Sequence, residues 1–125
     1  MAATYRHLFT HNVSALQDDA AAYCLGVGTP SDLSDPTPAL LAALSDVTPE
    51  VEPASQCRIG AGVTDPEGRP ALLFSLTPAV CGSPDDCLFE GGYYEGNLSA
   101  SHGTYRARSV NGRWQVTPVG PEAVS

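Results

Sequence analysis

Tyr105-Arg-Ala-Arg-Ser-Val-Asn-Gly-Arg-Trp-Gln-Val116 reads as a β-hairpin. Asn111-Gly112 supplies two residues that tolerate positive φ, the requirement of a type I′ turn, between two alternating strands. Counting outward from that turn puts Tyr105, Ala107, Ser109, Trp114 and Val116 on one face. Arg106, Arg108, Arg113 and Gln115 fall on the other, because successive side chains of a strand point to opposite sides. An antiparallel sheet with one apolar side is therefore the starting point for the fold.

Upstream, residues 57–64 and 69–77 flank Asp65-Pro-Glu-Gly68, a turn with Pro in second place and Gly in fourth. Pairing outward from it predicts Ala61 opposite Leu72, Ile59 opposite Phe74 and Cys57 opposite Leu76, all on one face. Residues 87–100 supply a further strand, in which Gly91-Gly92 marks a bulge or bend. The tail after Pro118 is expected to fray.

The N-terminal part reads differently. Tyr5, Leu8, Phe9, Val13, Leu16 and Ala20 recur at three- and four-residue steps over residues 3–22, giving a helical stripe. Ser14 with Gln17 fits a capping box, which allows two short helices broken near Asn12. Ala22-Tyr-Cys-Leu-Gly-Val-Gly28 reads as a short strand or extended link. A second helix follows, capped by Asp35 with Pro36 in its first position and Leu40, Leu41, Leu44 and Val47 inward. Pro49 ends it.

The fold expected from these signals is α+β: two or three N-terminal helices packed on a curved four- to five-stranded antiparallel sheet. Residues 1–125 form one domain, 1–48 mainly helical and 56–118 antiparallel sheet. A chain of this length buries roughly two-thirds of its unfolded surface, enough for a core without a structural metal.

Charge narrows the partners. The net charge is −8, and all six basic residues are Arg. Such a field repels a phosphate backbone, which argues against nucleic acid. No stretch approaches the ~20 apolar residues of a membrane span. The N-terminus lacks the charged and apolar regions of a signal peptide, so the chain is either cytoplasmic or an exported protein without its leader.

Three fragments carry a resemblance: Tyr23-Cys-Leu-Gly-Val27, Pro53-Ala-Ser-Gln-Cys-Arg58, and the closing Tyr105-Arg…Asn111-Gly-Arg-Trp-Gln-Val116. Together they resemble a set of small bacterial proteins, often exported, that end on a Gly-x-Trp-x-Val strand and have no assigned activity. The order of helices before a curved sheet is also similar to the cystatin-like or nuclear-transport-factor-2-like fold. That fold would imply a pocket on the sheet face, but not which ligand or reaction it serves.

Cys24, Cys57, Cys81 and Cys87 permit two disulfides, and Cys24–Cys57 with Cys81–Cys87 is the favoured pairing. The alternative is four reduced thiols, with Cys57 a small buried hydrophobe. Five residues between Cys81 and Cys87 exceed the usual zinc spacing. Oxidised cysteines tilt the location toward the periplasm or exterior over the cytoplasm.

Several residues are candidates for chemistry. Glu90-Gly-Gly-Tyr-Tyr-Glu95 places two carboxylates and two phenols on one strand. Glu90 and Glu95 are candidate acid–base groups, with Tyr94, Arg106 and Arg108 as candidate ligand contacts. His102, read as lying in an Ala100–Gly103 turn, is a candidate base. The plainer reading is a solvated face on which Glu95 pairs with an arginine. His7 and His11 share a helix face without a third ligand, and Asp85-Asp86 with Asp32 or Asp35 lacks a calcium-loop pattern, so no metal is expected. Asn12-Val-Ser14 and Asn97-Leu-Ser99 match the glycosylation sequon. The functional reading is a soluble, non-catalytic module without a cofactor that binds a protein partner or self-associates. The alternative is a small-molecule binder or enzyme with a pocket on the sheet face.

Overall fold

A computed structural model describes residues 1–11, 19–96 and 99–124, with the backbone alone at 122 and 124. The helical stripe beyond His11 (Val13, Leu16), the Ser14–Gln17 box and the two sequons fall outside the described residues. Among the described residues the chain runs α1 (Ala2–Thr10), β1 (Tyr23–Thr29), β2 (Asp32–Ser34), α2 (Pro38–Ala43), β3 (Val51–Pro53), a 3-10 turn (Ala54–Gln56), β4 (Arg58–Ile59) and β5 (Val63–Thr64). Five longer strands follow: β6 (Leu72–Leu76), β7 (Val80–Ser83), β8 (Asp86–Gly96), β9 (Ser99–Val110) and β10 (Arg113–Val124).

The expected helix-covered, four- to five-stranded antiparallel sheet is not what forms. Strands dominate, and eight of them make one mixed sheet in the order β10-β9-β8-β6-β1-β2, with β3 beside β1 and β7 beside β8. The reason lies in β6. Ala71-Leu-Leu-Phe-Ser-Leu76 is buried at every position, so it is apolar toward both faces and must sit centrally. It pairs parallel with β1 on one edge, Leu25 beside Phe74, and antiparallel with β8 on the other, Phe74 beside Tyr93. The hairpin register read for 57–77 is thereby overturned. The Asp65–Gly68 turn forms, with the Gly68 N–H donating to the Asp65 carbonyl at 3.0 Å. Beyond it only Thr64 still bridges Pro70, and Arg58-Ile59 folds back on Val63-Thr64 as a separate two-stranded ribbon.

The segment read as a short strand or extended link is a strand, β1, at the centre of the N-terminal half. β1 also takes β3 as a parallel neighbour and β2 as an antiparallel one, so residues 23–34 belong to the sheet rather than to a helical half. Among the described residues only α1 packs as a helical layer. Its Tyr5, Leu8 and Phe9 are buried as the stripe predicts, and Phe9 meets Tyr23 and Phe74 at ring distances of 4.7 and 5.0 Å. Tyr5 donates its hydroxyl to the Gly26 carbonyl at 2.5 Å, and burial raises its pKa well above the ordinary phenol value. The second helix is one and a half turns long and buries none of its own residues. Thr37, not Asp35, caps it, its side chain accepting the Leu40 N–H at 3.2 Å. Asp35 instead accepts from the N–H and hydroxyl of Ser55.

The last hairpin follows its reading. Asn111 and Gly112 have φ of 54° and 78°, and Trp114 pairs with Ser109 and Val116 with Ala107. The expected fraying after Pro118 does not occur. β10 bulges between Val119 and Ala123, where Gly120 has φ of 74°, and rejoins β9 opposite His102 and Ser101.

Candidate binding face

The sheet has two faces with different fates. One carries Tyr23, Leu25, Phe74, Phe89, Tyr93, Tyr105 and Ala107 and is sealed by α1. The opposite face divides along its width. Over β1 and β6, Ala22, Cys24, Ala71 and Leu73 are covered by Ala54, Cys57 and Val63 from the 3-10 turn and the β4–β5 ribbon. Two ties hold that cover down. The Cys24–Cys57 disulfide fastens it to β1, and Tyr94 donates its hydroxyl to the Gly60 carbonyl at 2.6 Å. Beyond the Tyr94 end of β8, no described segment lies on this face over β7, β9, β10 and the Asp86–Glu90 part of β8.

Pairing registers give the layout of this bare half. Val80 stands beside Leu88, Leu88 beside Arg106, and Arg106 beside Thr117, one row across four strands. Asp86, Arg108 and Gln115 form the next row, and Glu90, Thr104 and Val119 the row on the other side. Val80, Cys81, Gly82, Asp86, Leu88, Arg106 and Val119 line a cleft of about 500 Å³. Val80 is 72% exposed, Leu88 41% and Val119 45%. Arg106 closes the cleft by gripping Asp86 with both arms, Nε to Oδ1 at 2.9 Å and a terminal nitrogen to Oδ2 at 2.6 Å. That bidentate contact holds the Asp86 carboxyl below the usual carboxylate range, with a smaller contribution from Arg108.

The residues singled out from the sequence do not converge. Glu90 and Tyr94 share the second face, whereas Glu95, five positions from Glu90, alternates to the side of Tyr93. Tyr94 is occupied in packing against the Ala22–Leu73 cluster and in its bond to Gly60. Arg106 pairs with Asp86 rather than with Glu95. His102 does not lie in a turn: it is an exposed residue of β9, opposite Ala123. Arg108 is exposed beside Gln115, one row away from the cleft.

Both disulfides are present in the favoured connectivity, Cys24–Cys57 and Cys81–Cys87, the latter joining directly paired residues of β7 and β8. The histidines of α1 stack face to face at 4.1 Å, and His11 Nδ1 is 2.9 Å from the His7 carbonyl. Among the described residues no group of three or more His, Cys, Asp or Glu is placed to hold a metal. No described helix is long and apolar enough to cross a membrane.

The sequence reading missed Val80, Leu88 and Val119, and with them Asp86, weighed only against a calcium-loop pattern. Their role depends on which strands lie side by side. Only the alternation Asp86-Cys-Leu-Phe89 was available locally, and it separates Asp86 and Leu88 from the buried Cys87 and Phe89. Compared with known proteins, the chain matches no family model, no curated protein and no solved structure.

Proposed function

We propose that this domain is a non-catalytic protein-binding module whose contact surface is the bare sheet half formed by β7–β10. One observation carries the reading: Val80, Leu88 and Val119, three exposed apolar side chains from three strands, surround a single cleft. A contiguous apolar patch rimmed by polar groups is the usual mark of an interaction site. The dispersal of Glu90, Glu95 and His102 over different faces and rows supports a binding role over an acid–base one. We also place the domain in an oxidising compartment, in keeping with the exported proteins it resembles. The support is two disulfides in a chain of this size.

Panning a phage-displayed library of random short peptides against the immobilised, disulfide-intact chain tests the surface. Peptides that bind the native chain and lose Leu88→Asp and Val80→Asp variants are the expected result. Peptides indifferent to both substitutions overturn the assignment. Small molecules that raise Tm only when Leu88 is intact would replace it with a ligand-binding role.

A further inference from the structure

We infer that the partner docking on β7–β10 is an acidic segment with a large apolar side chain, the apolar group entering the cleft and its carboxylates reaching Arg108 and Arg113. The inference rests on the reading of that face as a protein-binding surface.

The observation behind it is a local reversal of charge. The chain as a whole carries −8. Yet three of its six arginines, Arg106, Arg108 and Arg113, stand on this one face, against two carboxylates there among the described side chains, Asp86 and Glu90. Three positive and two negative charges leave these described side chains at +1. The excess is concentrated, because Arg106 and Asp86 neutralise each other in their bidentate pair. The Arg108 and Arg113 side chains are exposed and make no hydrogen bond or ion pair among the described residues, Arg108 standing across from Asp86, whose two oxygens Arg106 already holds. Arg113 lies opposite Val110, so Arg108 is its diagonal neighbour across the strand pair. Diagonal side chains of that kind sit about 7–8 Å apart, a spacing two carboxylates of one extended segment can serve.

The apolar and basic elements also have a fixed order. Along β9, Arg106 forms the cleft wall, Arg108 follows two residues on, and Val110 beside Arg113 two residues further. Two residues of strand span about 7 Å. An extended partner lying along β9 with its apolar side chain between Val80, Leu88 and Val119 therefore places its acidic residue about two positions away. A guanidinium accepts a carboxylate in a two-point contact that an ammonium cannot match, which suits arginine to this task. A phosphate backbone offers the same chemistry, but a polyanion approaching the chain meets its −8 field and gains nothing from the apolar cleft.

The peptide library decides between these. The expected output is enriched in Asp or Glu about two residues from Leu, Phe, Trp or Met. Individual peptides should weaken about two- to fivefold for Arg108→Gln and again for Arg113→Gln, the worth of exposed ion pairs. Their binding should also fall on raising the ionic strength from about 0.01 to about 1 M, where screening shortens from about 30 to about 3 Å. This last readout needs no variant. Enriched peptides that lack acids and ignore both arginine substitutions, while still requiring Leu88, overturn the acidic partner and leave the protein-binding face intact. Peptides indifferent to Leu88, or an output without enrichment, overturn both. Binding of a fluorescent oligothymidylate that is lost in the Arg108→Gln, Arg113→Gln double variant would assign the arginines to phosphate and overturn the inference.

Discussion

Removing the two disulfides separately should destabilise the chain unequally, and the structure fixes by how much. Cys24 and Cys57 are 33 residues apart, Cys81 and Cys87 only six. On the chain-entropy account a cross-link stabilises by restricting the unfolded ensemble, more for a longer loop. The formula gives about 4 kcal/mol for the first and about 2 kcal/mol for the second. Packing losses nearly cancel in the comparison. Each Cys→Ala pair removes one sulfur from the core, Cys24 or Cys87, and one from a more accessible position, Cys57 or Cys81. The difference of about 1.5 kcal/mol therefore reports loop closure. An unfolding entropy of about 0.26 kcal/mol/K for a chain of this length turns the two losses into Tm decreases of about 14 and about 8 °C. Thermal unfolding followed by circular dichroism, with urea titration for the free energies, measures both. Equal losses, or a larger one for Cys81–Cys87, would refute the reasoning. Either would mean that residues 24–57 keep a compact conformation when unfolded, or that the β7 tether carries native contacts beyond those of β8.

Three further outcomes follow from particular contacts. Tyr5→Phe should cost about 1–2 kcal/mol in urea unfolding, because the buried Gly26 carbonyl loses its donor. The phenol's raised pKa means the folded chain holds that proton more tightly, so stability present below about pH 10 should decline above it, and this decline should vanish in the variant. At the acid end, Asp65 behaves in the opposite sense. Burial pushes its carboxyl up, but the Arg69 N–H and guanidinium and the Glu67 N–H outweigh it, leaving the pKa depressed. A depressed folded value gives stability that is present above about pH 4 and lost as pH falls through it, so Asp65→Asn should flatten the acid limb of the stability curve. Gly92→Ala should cost about 2 kcal/mol or more, since its Cβ would meet the Ser101 backbone of β9. Gly82→Ala, with open space around it, should stay within about 0.5 kcal/mol and serves as the control in the same titration.

The contrast between those two glycines shows what was legible in the sequence. Gly91-Gly92 was recognisable as a special point in a strand, but the reading as a bulge or bend left out the close approach of both neighbouring strands. A Cβ on Gly91 would collide with Ser75 of β6 and one on Gly92 with Ser101 of β9, so the pair admits a neighbouring backbone on each side of β8. Local chemistry was readable at the Asn111-Gly112 turn, the α1 stripe and the Asp65–Gly68 turn, though not at the Asp35 cap or at Ala100–Gly103, which runs on as strand. It failed where the next contact is distant. The Asp65–Gly68 turn says nothing about whether residues 71–76 continue the hairpin or leave it for β1, some 50 positions earlier in the chain. The apolar run Ala71–Leu76, broken only by Ser75, carried that information, since a strand with one wet face alternates and Leu72-Leu-Phe74 does not. The site had a similar unused clue. Glu90 and Glu95 are an odd number apart, so any continuous strand puts them on opposite faces.

The bare face is best understood through what covers the other half. Residues 54–64 lie over β1 and β6, where Cys57 and Tyr94 fasten them. The β7–β10 half is thus left open by construction, and its residues answer to different demands. Where the sheet needs burial it has Cys87, Phe89, Tyr105 and Ala107, all on the α1 side. Val80 contributes little to folding, because it is largely in water already, and Leu88 and Val119 each keep over two-fifths of their surface exposed. If solubility alone shaped this face, polar side chains would serve better at all three positions. Leu88→Asp and Val80→Asp should accordingly leave Tm within a few degrees of the native value while removing peptide binding. A large loss of Tm in either would mean that the cleft is part of the core, and the case for a binding surface would fall with it.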